Sequence, residues 1–480
     1  LKKPKLLISI ASYCDDELMK TINSLLDNAH DKNNLDIVVF NQSEYPENIN
    51  HVNVTEVYSN YKTTNGVVWA REQIRNYVKP HHKYYLQIDA HMRFDKGFDQ
   101  KLISHHDDYK GKVIFSGFPS MYYLPDDKSW DACYINIVDK VDDKGRFWPG
   151  AQGVEEKKYL GPSTIAAGYF FSDIKVLDLD IYQQKGDMYF EETYATFNTF
   201  LAGYDITNIP FPGIYHLYDK TNQRQLYHPN QGNPRLVGLK DDVRTIQDFN
   251  KLYGTSYRPN IIHQVAPQDK NRWSKEWFRC DYSWDTIKGY KINKWCDRDG
   301  INTYLQRYDK EFYEILNQCP VIYKIDFVRY LIARDIGGVI CDMDFEVYND
   351  FTKQLDSHSI YLLESSAGDE DYQNGFIISP PSDLWNMFLE TLKANIAANL
   401  PDILNRKEIE GRPLGTFVRQ MVGPIALSEF IKKYNIPHKV LPSHIKFYHT
   451  LNLILLENLI LILYKHIITV QATGGVVCKL

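Results

Sequence analysis

The chain has 480 residues, roughly three times the usual domain length of about 150, so two or three domains are expected. Its 55 Lys and Arg against 61 Asp and Glu leave a formal charge of −6, which excludes a nucleic-acid binder led by electrostatics. A hydrophobic share of 44% with 24% charged residues excludes a mostly disordered chain.

The predicted elements of the first half alternate strand and helix. Leu6–Ala11 reads as a buried strand, and Asp15–Ala29 as a helix with Leu18, Ile22, Leu25 and Leu26 on one side. Leu35–Phe40 is again a strand, Thr64–Val78 a helix, and Tyr84–Ile88 a strand that ends in acidic residues. Such alternation predicts an α/β fold with a parallel, doubly wound sheet and a ligand site at the carboxyl ends of its strands. The plan restarts after the linker-like Tyr253–Pro259. There Asn260–Val265 reads as a strand, Tyr323–Ile336 as a helix stopped by Gly337 and Gly338, and Val339–Cys341 as a strand running into Asp342. Two similar domains in tandem are expected, residues 1–255 and 256–449, with an apolar tail over 450–480.

Seven Cys at scattered positions, with no C-x-x-C pair, form neither a disulfide framework nor a zinc pattern. A reducing compartment is the simpler reading, and a cytoplasmic location is expected. The run LLISIA is too short for a secretory segment. The 35 Tyr are read first as core filling and second as sugar or base contacts.

The strand Tyr84–Ile88 delivers Asp89 and His91, a carboxylate and an imidazole two apart that can hold a divalent metal against a nucleotide's phosphates. A bare D-x-H is more often two polar residues in a turn, so its surroundings matter. Ser12 and Tyr13 follow the first strand and suit a base and ribose. Arg71 suits a phosphate or a solvated helix face. Gly168, Tyr169, Phe170 and Phe171 offer a close backbone approach and aromatic walls. Glu191 and Glu192 can orient a sugar hydroxyl or an acceptor, or merely decorate a helix N-terminus. His216 can return to the metal as a third ligand.

In this order the segment resembles the A-type-fold glycosyltransferases that attach N-acetylglucosamine to hydroxyproline in a ubiquitin-ligase subunit, with their bacterial and viral relatives. The likeness rests on I-x-x-S-Y, DAHMRF, the G-Y-F-F segment, the E-E pair and the late His, over roughly residues 5 to 250. It implies Asp89, His91 and His216 as metal ligands and UDP-N-acetylglucosamine as donor. Arg71 and Glu191 or Glu192 would then sit at donor and acceptor.

The second cluster is Lys324-Ile325-Asp326-Phe327-Val328-Arg329-Tyr330, with Asp326, Arg329 and Tyr330 on one helix face. After Gly337-Gly338 a strand carries Asp342 and Asp344, the D-x-D device for a cation that neutralises a leaving diphosphate. The segment resembles the D-x-D sugar-binding region of yeast outer-chain mannosyltransferases and of bacterial capsule and toxin glycosyltransferases. It spans about residues 259 to 448 and includes Ile262-His263-Gln264, Trp284, Trp295, Asn374-Gly375 and Gly423-Pro424. The resemblance implies Asp326, Arg329, Tyr330 and Gly338 at the donor sugar and Asp342 and Asp344 at the metal.

That family closes with a His-Trp-rich segment, whereas this chain turns to LNLILLENLILILY after Phe447-Tyr448. The run is too short and interrupted for a membrane span and reads as a buried or interfacial helix. The terminal TVQATGGVVCKL can also be back-translated so that a shifted frame reads S-S-S-H-W-W-S-G-L and a stop, as a one-base deletion near His449 would produce.

The expected protein is a bifunctional glycosyltransferase of two tandem A-type, Rossmann-like domains, each with one manganese or magnesium. Its partners would be nucleotide-sugar donors and a glycan or protein acceptor, with no nucleic acid. Glu191, Glu192, Asp326 and Arg329 are the expected catalytic groups, and both resemblances imply retention of anomeric configuration. The alternative is a glycan- or nucleotide-sugar-binding protein with decayed sites.

Overall fold

The computed structural model describes residues 5–130, 132–142, 146–179, 181–182, 190–218, 243–266, 270–296, 300–365, 372–405, 412–441, 447–451, 464–470 and 476–477. It divides into two compact units, Leu1–Thr255 and Ser256–Leu480.

The strands of the first unit are β1 (Lys5–Tyr13), β2 (Leu35–Ser43), β3 (Val54–Asn60), β4 (His82–Asp89), β5 (Met92–Phe94), β6 (Val113–Ser116), β7 (Ser120–Tyr123), β8 (Asp127–Lys128), β9 (Tyr134–Val141), β10 (Phe147–Gly153), β11 (Tyr169–Asp173), β12 (Asp205–Thr207) and β13 (Ile214–His216). Seven of them form the main sheet in the order β12-β6-β11-β4-β1-β2-β3. Strand β1 is buried along nearly its whole length, as a near-continuous apolar run requires when both faces of a sheet are covered. Helix Leu18–Asn28 packs Leu18, Ile22 and Leu25 inward with Thr21 between them, the three- and four-residue spacing of an amphipathic helix.

The expected parallel sheet needs one correction. β1, β2, β3 and β4 run parallel, but β11 enters antiparallel between β4 and β6. A hairpin-like return can place such a strand where a parallel one would need a crossover helix. The expected helix Thr64–Val78 is Val67–Ile74 followed by one 3-10 turn, Arg75–Tyr77.

A second, four-stranded sheet has the order β5-β13-β7-β8. Its antiparallel pairing sets His216 opposite Met92 and Ile214 opposite Phe94. This small sheet carries β13 back to the turn that follows β4.

The second unit has β14 (Ile261–Ala266), β15 (Lys291–Cys296), β16 (Gly338–Asp342), β17 (Phe345–Val347), β18 (Tyr361–Glu364), β19 (Tyr372–Ser379) and β20 (Lys439–Val440). The main sheet runs β15-β14-β16-β19-β18-β20, again with one strand, β19, antiparallel to its neighbours β16 and β18. Helix Val321–Asp335 packs Phe327, Leu331 and Ile332 into a core shared with Trp385, Phe388 and Leu427. It ends in a left-handed turn, with Gly337 at φ 70° and Gly338 at φ 112°. A Cβ on Gly338 would lie 2.5 Å from the Ile261 carbonyl oxygen, so only glycine lets the chain cross β14 this closely.

His263 of β14 fixes that crossing. Its Nδ1 accepts from Trp295 Nε1 at 2.9 Å, which leaves Nε2–H to donate to the Gly337 carbonyl at 3.0 Å. Burial pushes its pKa down to about 4, so the ring stays neutral.

Further strands are Phe447–Leu451, Tyr464–Val470 and Val476–Val477. The apolar run read as a helix lies, between its two ends, outside the described residues, as does most of TVQATGGVVCKL. Among the described residues no helix is long and apolar enough to cross a membrane.

Candidate functional site

Strand β4 ends at Asp89, and the chain turns through Ala90 and His91 before starting β5. Thr21 of the first helix holds that turn. Its hydroxyl donates to the Ala90 carbonyl at 2.7 Å and accepts from the Met92 amide at 2.8 Å. The pairing of β13 with β5 then brings His216 onto the same spot. His91 Nε2 and His216 Nε2 are 2.9 Å apart, and Asp89 Oδ2 is 3.3 Å from His216 Nε2 and 3.8 Å from His91 Nε2. One carboxylate oxygen and two imidazole nitrogens thus lie within 4.8 Å of one another.

Such a mixed oxygen–nitrogen donor set suits a divalent first-row transition ion. His91 Nδ1 is turned the other way, onto Asp15 Oδ2 at 2.8 Å. Gly168 stands just before β11, next to the Tyr169–Ile88 pair, and the Asp89 amide donates to its carbonyl at 3.2 Å. A Cβ there would sit 2.9 Å from Asp89 Oδ2, inside the cradle.

Arg71 is buried and bridges two carboxylates. It donates to Asp89 Oδ1 at 2.8 Å and to Glu191 Oε2. Burial works against its charge, but Glu191 and Asp89 outweigh that and hold its pKa above the ordinary value. Burial alone would raise Asp89. The hydrogen bond with His216 and the Arg71 charge reverse the sign and hold its carboxyl well below the usual range.

Glu191 and Glu192 both stand in the first turn of helix Glu191–Leu201 and face different partners. Glu191 is fixed by Arg71. Glu192 Oε1 accepts from the Ala167 amide at 2.8 Å, and burial, opposed by that bond, lifts its pKa to about 7.

The expected substrate contacts divide. Ser12 is buried at the end of β1, where its carbonyl accepts from Gln42 Nε2 at 3.2 Å. Tyr13 stands half-buried, its ring edge-on to Tyr61. Tyr169 and Phe170 are corrected: both are wholly buried strand residues, Tyr169 in the core with Leu86 and Phe115, Phe170 against Tyr85. They support the sheet and do not wall the site, because β11 is an interior strand covered on both faces. Within DAHMRF, Met92 and Phe94 are core, and Arg93 pairs with Glu17 and Asp126 beneath the Tyr122 ring. Only Asp89 and His91 of that motif face the cluster.

The second unit repeats this arrangement with other residues. β16 ends at Asp342. Arg329, buried on helix Val321–Asp335, donates to Asp342 Oδ1 and to Asp326 Oδ1. Gly375 of β19 stands against the same aspartate, where a Cβ would lie 2.7 Å from Oδ2. Asp344 sits two residues on, and burial with the Asp342 charge lifts its pKa well above the ordinary value.

Tyr330 is corrected: its ring stacks on Trp385, and its hydroxyl donates to the Val422 carbonyl at 3.2 Å, so it belongs to the core. Gly338 is also corrected, since its tight contact is with β14. Asp15 was legible only as the polar end of the first apolar run; a D-D-E directly after a strand was its one signal.

A second His-carboxylate group, Asp36 with His81 and His82, lies at the other end of β4. It is an ion-pair cluster: Lys5 Nζ is 2.7 Å from Asp36 Oδ1, and both histidine Nε2 atoms are 3.0 Å from Oδ2. His82 Nδ1 accepts from the Lys79 amide at 3.0 Å, so its Nε2 carries the proton and has no lone pair for a cation.

Comparison with known proteins bears on this geometry. Residues 41–275 match the model of the family described as Glycosyltransferase (GlcNAc). An uncharacterized glycosyltransferase of Acanthamoeba polyphaga mimivirus is 28% identical over 159 residues, covering 29% of this chain and 60% of the viral protein. The chain therefore spans less than two thirds of that relative's length. Among solved structures, TarS 1-349 of S. aureus in complex with UDP-GlcNAc is 12% identical over 46% of this chain and 61% of its own, at a TM-score of 0.34. A mannosyltransferase, PcManGT of Pyrobaculum calidifontis in complex with GDP-Man and Mn2+, is 9% identical over 46% and 59%, at 0.28. At such scores the superpositions say nothing of this chain's chemistry. By its family match over residues 41–275 and its viral relative, the chain is similar to glycosyltransferases, and its fold is α/β.

Proposed function

We infer that the chain is a bifunctional, metal-dependent glycosyltransferase of A-type plan whose two units each transfer a sugar from a nucleotide-sugar donor. The observation that carries this reading is the repeated trio in the two units: a buried arginine, an aspartate at the end of a central strand, and a glycine against that aspartate. It occurs as Arg71, Asp89 and Gly168, and again as Arg329, Asp342 and Gly375.

In the first unit Asp89, His91 and His216 would hold manganese or magnesium, and Asp342 with Asp344 would do so in the second. A divalent ion there would supply positive charge against the departing diphosphate, and such electrostatic stabilisation usually dominates the rate enhancement. The chain's own residues do the rest. Arg71 holds Asp89 ionised and in place, and Arg329 holds Asp342 in place through a direct hydrogen bond. Glu192, with a pKa near neutrality, is suited to exchange a proton with an acceptor hydroxyl. The matched family points to UDP-N-acetylglucosamine as the first unit's donor.

The test is a donor screen with manganese on the full chain, following release of nucleoside diphosphate. Loss of one donor's turnover in Asp89→Ala and of another's in Asp342→Ala supports two active units. No turnover with any donor and metal favours a nucleotide-sugar-binding protein.

A further inference from the structure

We propose that Asp15 is a positioning residue that selects the ring form of His91 and thereby sets the first unit's affinity for its cation. This rests on the reading of Asp89, His91 and His216 as a metal site.

Asp15 follows β1 in the turn that leads into helix Leu18–Asn28, and its side chain is only 7% exposed. Its two oxygens have different duties. Oδ1 accepts from the Glu17 backbone amide at 3.0 Å, which fixes the plane of the carboxylate. Oδ2 faces His91 Nδ1 at 2.8 Å. A carboxylate oxygen can only accept, so the imidazole proton belongs on Nδ1 and the lone pair on Nε2. Nε2 is the atom that meets His216 and Asp89. A hydrogen bond from a ligand histidine to a carboxylate fixes its orientation and raises its basicity, and removing it typically costs about 10–100-fold in metal affinity.

Asparagine at this position separates the role from ordinary turn building. If its amide oxygen keeps the Glu17 contact, its NH2 group meets His91 Nδ1. That nitrogen must then accept, which moves the ring proton to Nε2 and blocks the lone pair.

The test titrates manganese chloride alone into the full chain by calorimetry. The first-unit component is identified as the one that Asp89→Ala abolishes. Asp15→Asn is expected to weaken that component roughly 10–100-fold while leaving the melting temperature and the second component unchanged. Asp16→Asn, one residue along on the exposed side, is expected to bind as the unaltered protein does. Equal first-component affinity in Asp15→Asn and unaltered protein overturns the proposal while the metal reading stands. A chain with no component sensitive to Asp89→Ala removes the metal reading and this proposal together. Should Asp15→Asn not fold, the metal-free unaltered protein decides through its 15N-histidine spectrum, with His91 assigned by His91→Gln. A proton on Nδ1 is expected, and a proton on Nε2 overturns it.

Discussion

Gly168 lies against the carboxylate of Asp89, so close that a Cβ on it would sit 2.9 Å from Oδ2 and 3.7 Å from His216 Cδ2. No real Cβ tolerates the first distance, so Gly168→Ala must push Asp89 off its position. The expected result is a roughly tenfold or larger loss of manganese affinity and of first-unit turnover, with little change in melting temperature. Gly375→Ala should do the same to the second unit alone, since its Cβ would lie 2.7 Å from Asp342 Oδ2. Donor-specific turnover of each variant separates the two sites.

Asp89 and His91 share one turn, and Asp342 and Asp344 share another, but spacing alone left each pair as ordinary polar turn residues. The family resemblance singled them out, together with Arg71 and His216, which lies 127 positions from Asp89. Asp15 escaped because its partner lies 76 positions away. Aromatic content misled at Tyr169 and Phe170. A strand with both faces covered and an aromatic wall read alike in one dimension, and only the entry of β11 between β4 and β6 tells them apart. The antiparallel sense of β11 and β19 was not legible either, because strand direction depends on the path between elements and not on apolar pattern.

Arg329 stands between two acidic groups in a buried setting, which makes its loss costly in a particular way. Arg329→Ala would leave Asp326 and Asp342 without their cation. Breaking a buried ion pair from one side typically costs about 3–5 kcal/mol. Urea unfolding should show a loss of that order, and pairing the change with Asp326→Asn should recover part of it.

The Asp36 cluster offers a contrast to the proposed metal site. Lys5 already pairs with its carboxylate, and the His82 lone pair is taken by a backbone amide. His81→Gln and His82→Gln should leave the number and affinity of bound manganese ions unchanged. Calorimetric stoichiometry checks this. Asp36→Asn should lower stability at neutral pH, because Lys5 and the two histidines hold this carboxyl well below its ordinary value against the cost of burial. That stabilising contribution is present above the unfolded pKa and disappears as the pH falls through the folded one.

Glu192 carries the opposite sign. Its carboxyl rises from 4.5 to about 7, so between those values the folded chain binds a proton that the unfolded chain does not. Its contribution to stability is fully present below about pH 4.5 and is lost as the pH rises through about 7. Glu192→Gln removes this slope, and the difference in melting temperature between variant and unaltered protein should grow from pH 4.5 to 7 and then level off. Turnover by the first unit should behave conversely. If the ionised carboxylate takes a proton from the acceptor hydroxyl, rate rises with pH through about 7 in the unaltered chain. The glutamine variant should lose most of that rate while still binding manganese, because Glu192 bonds to the Ala167 amide and to none of the three proposed ligands, Asp89, His91 and His216. A Glu192→Gln enzyme with an unchanged rate profile would remove Glu192 from the chemistry and leave it as a helix-end residue.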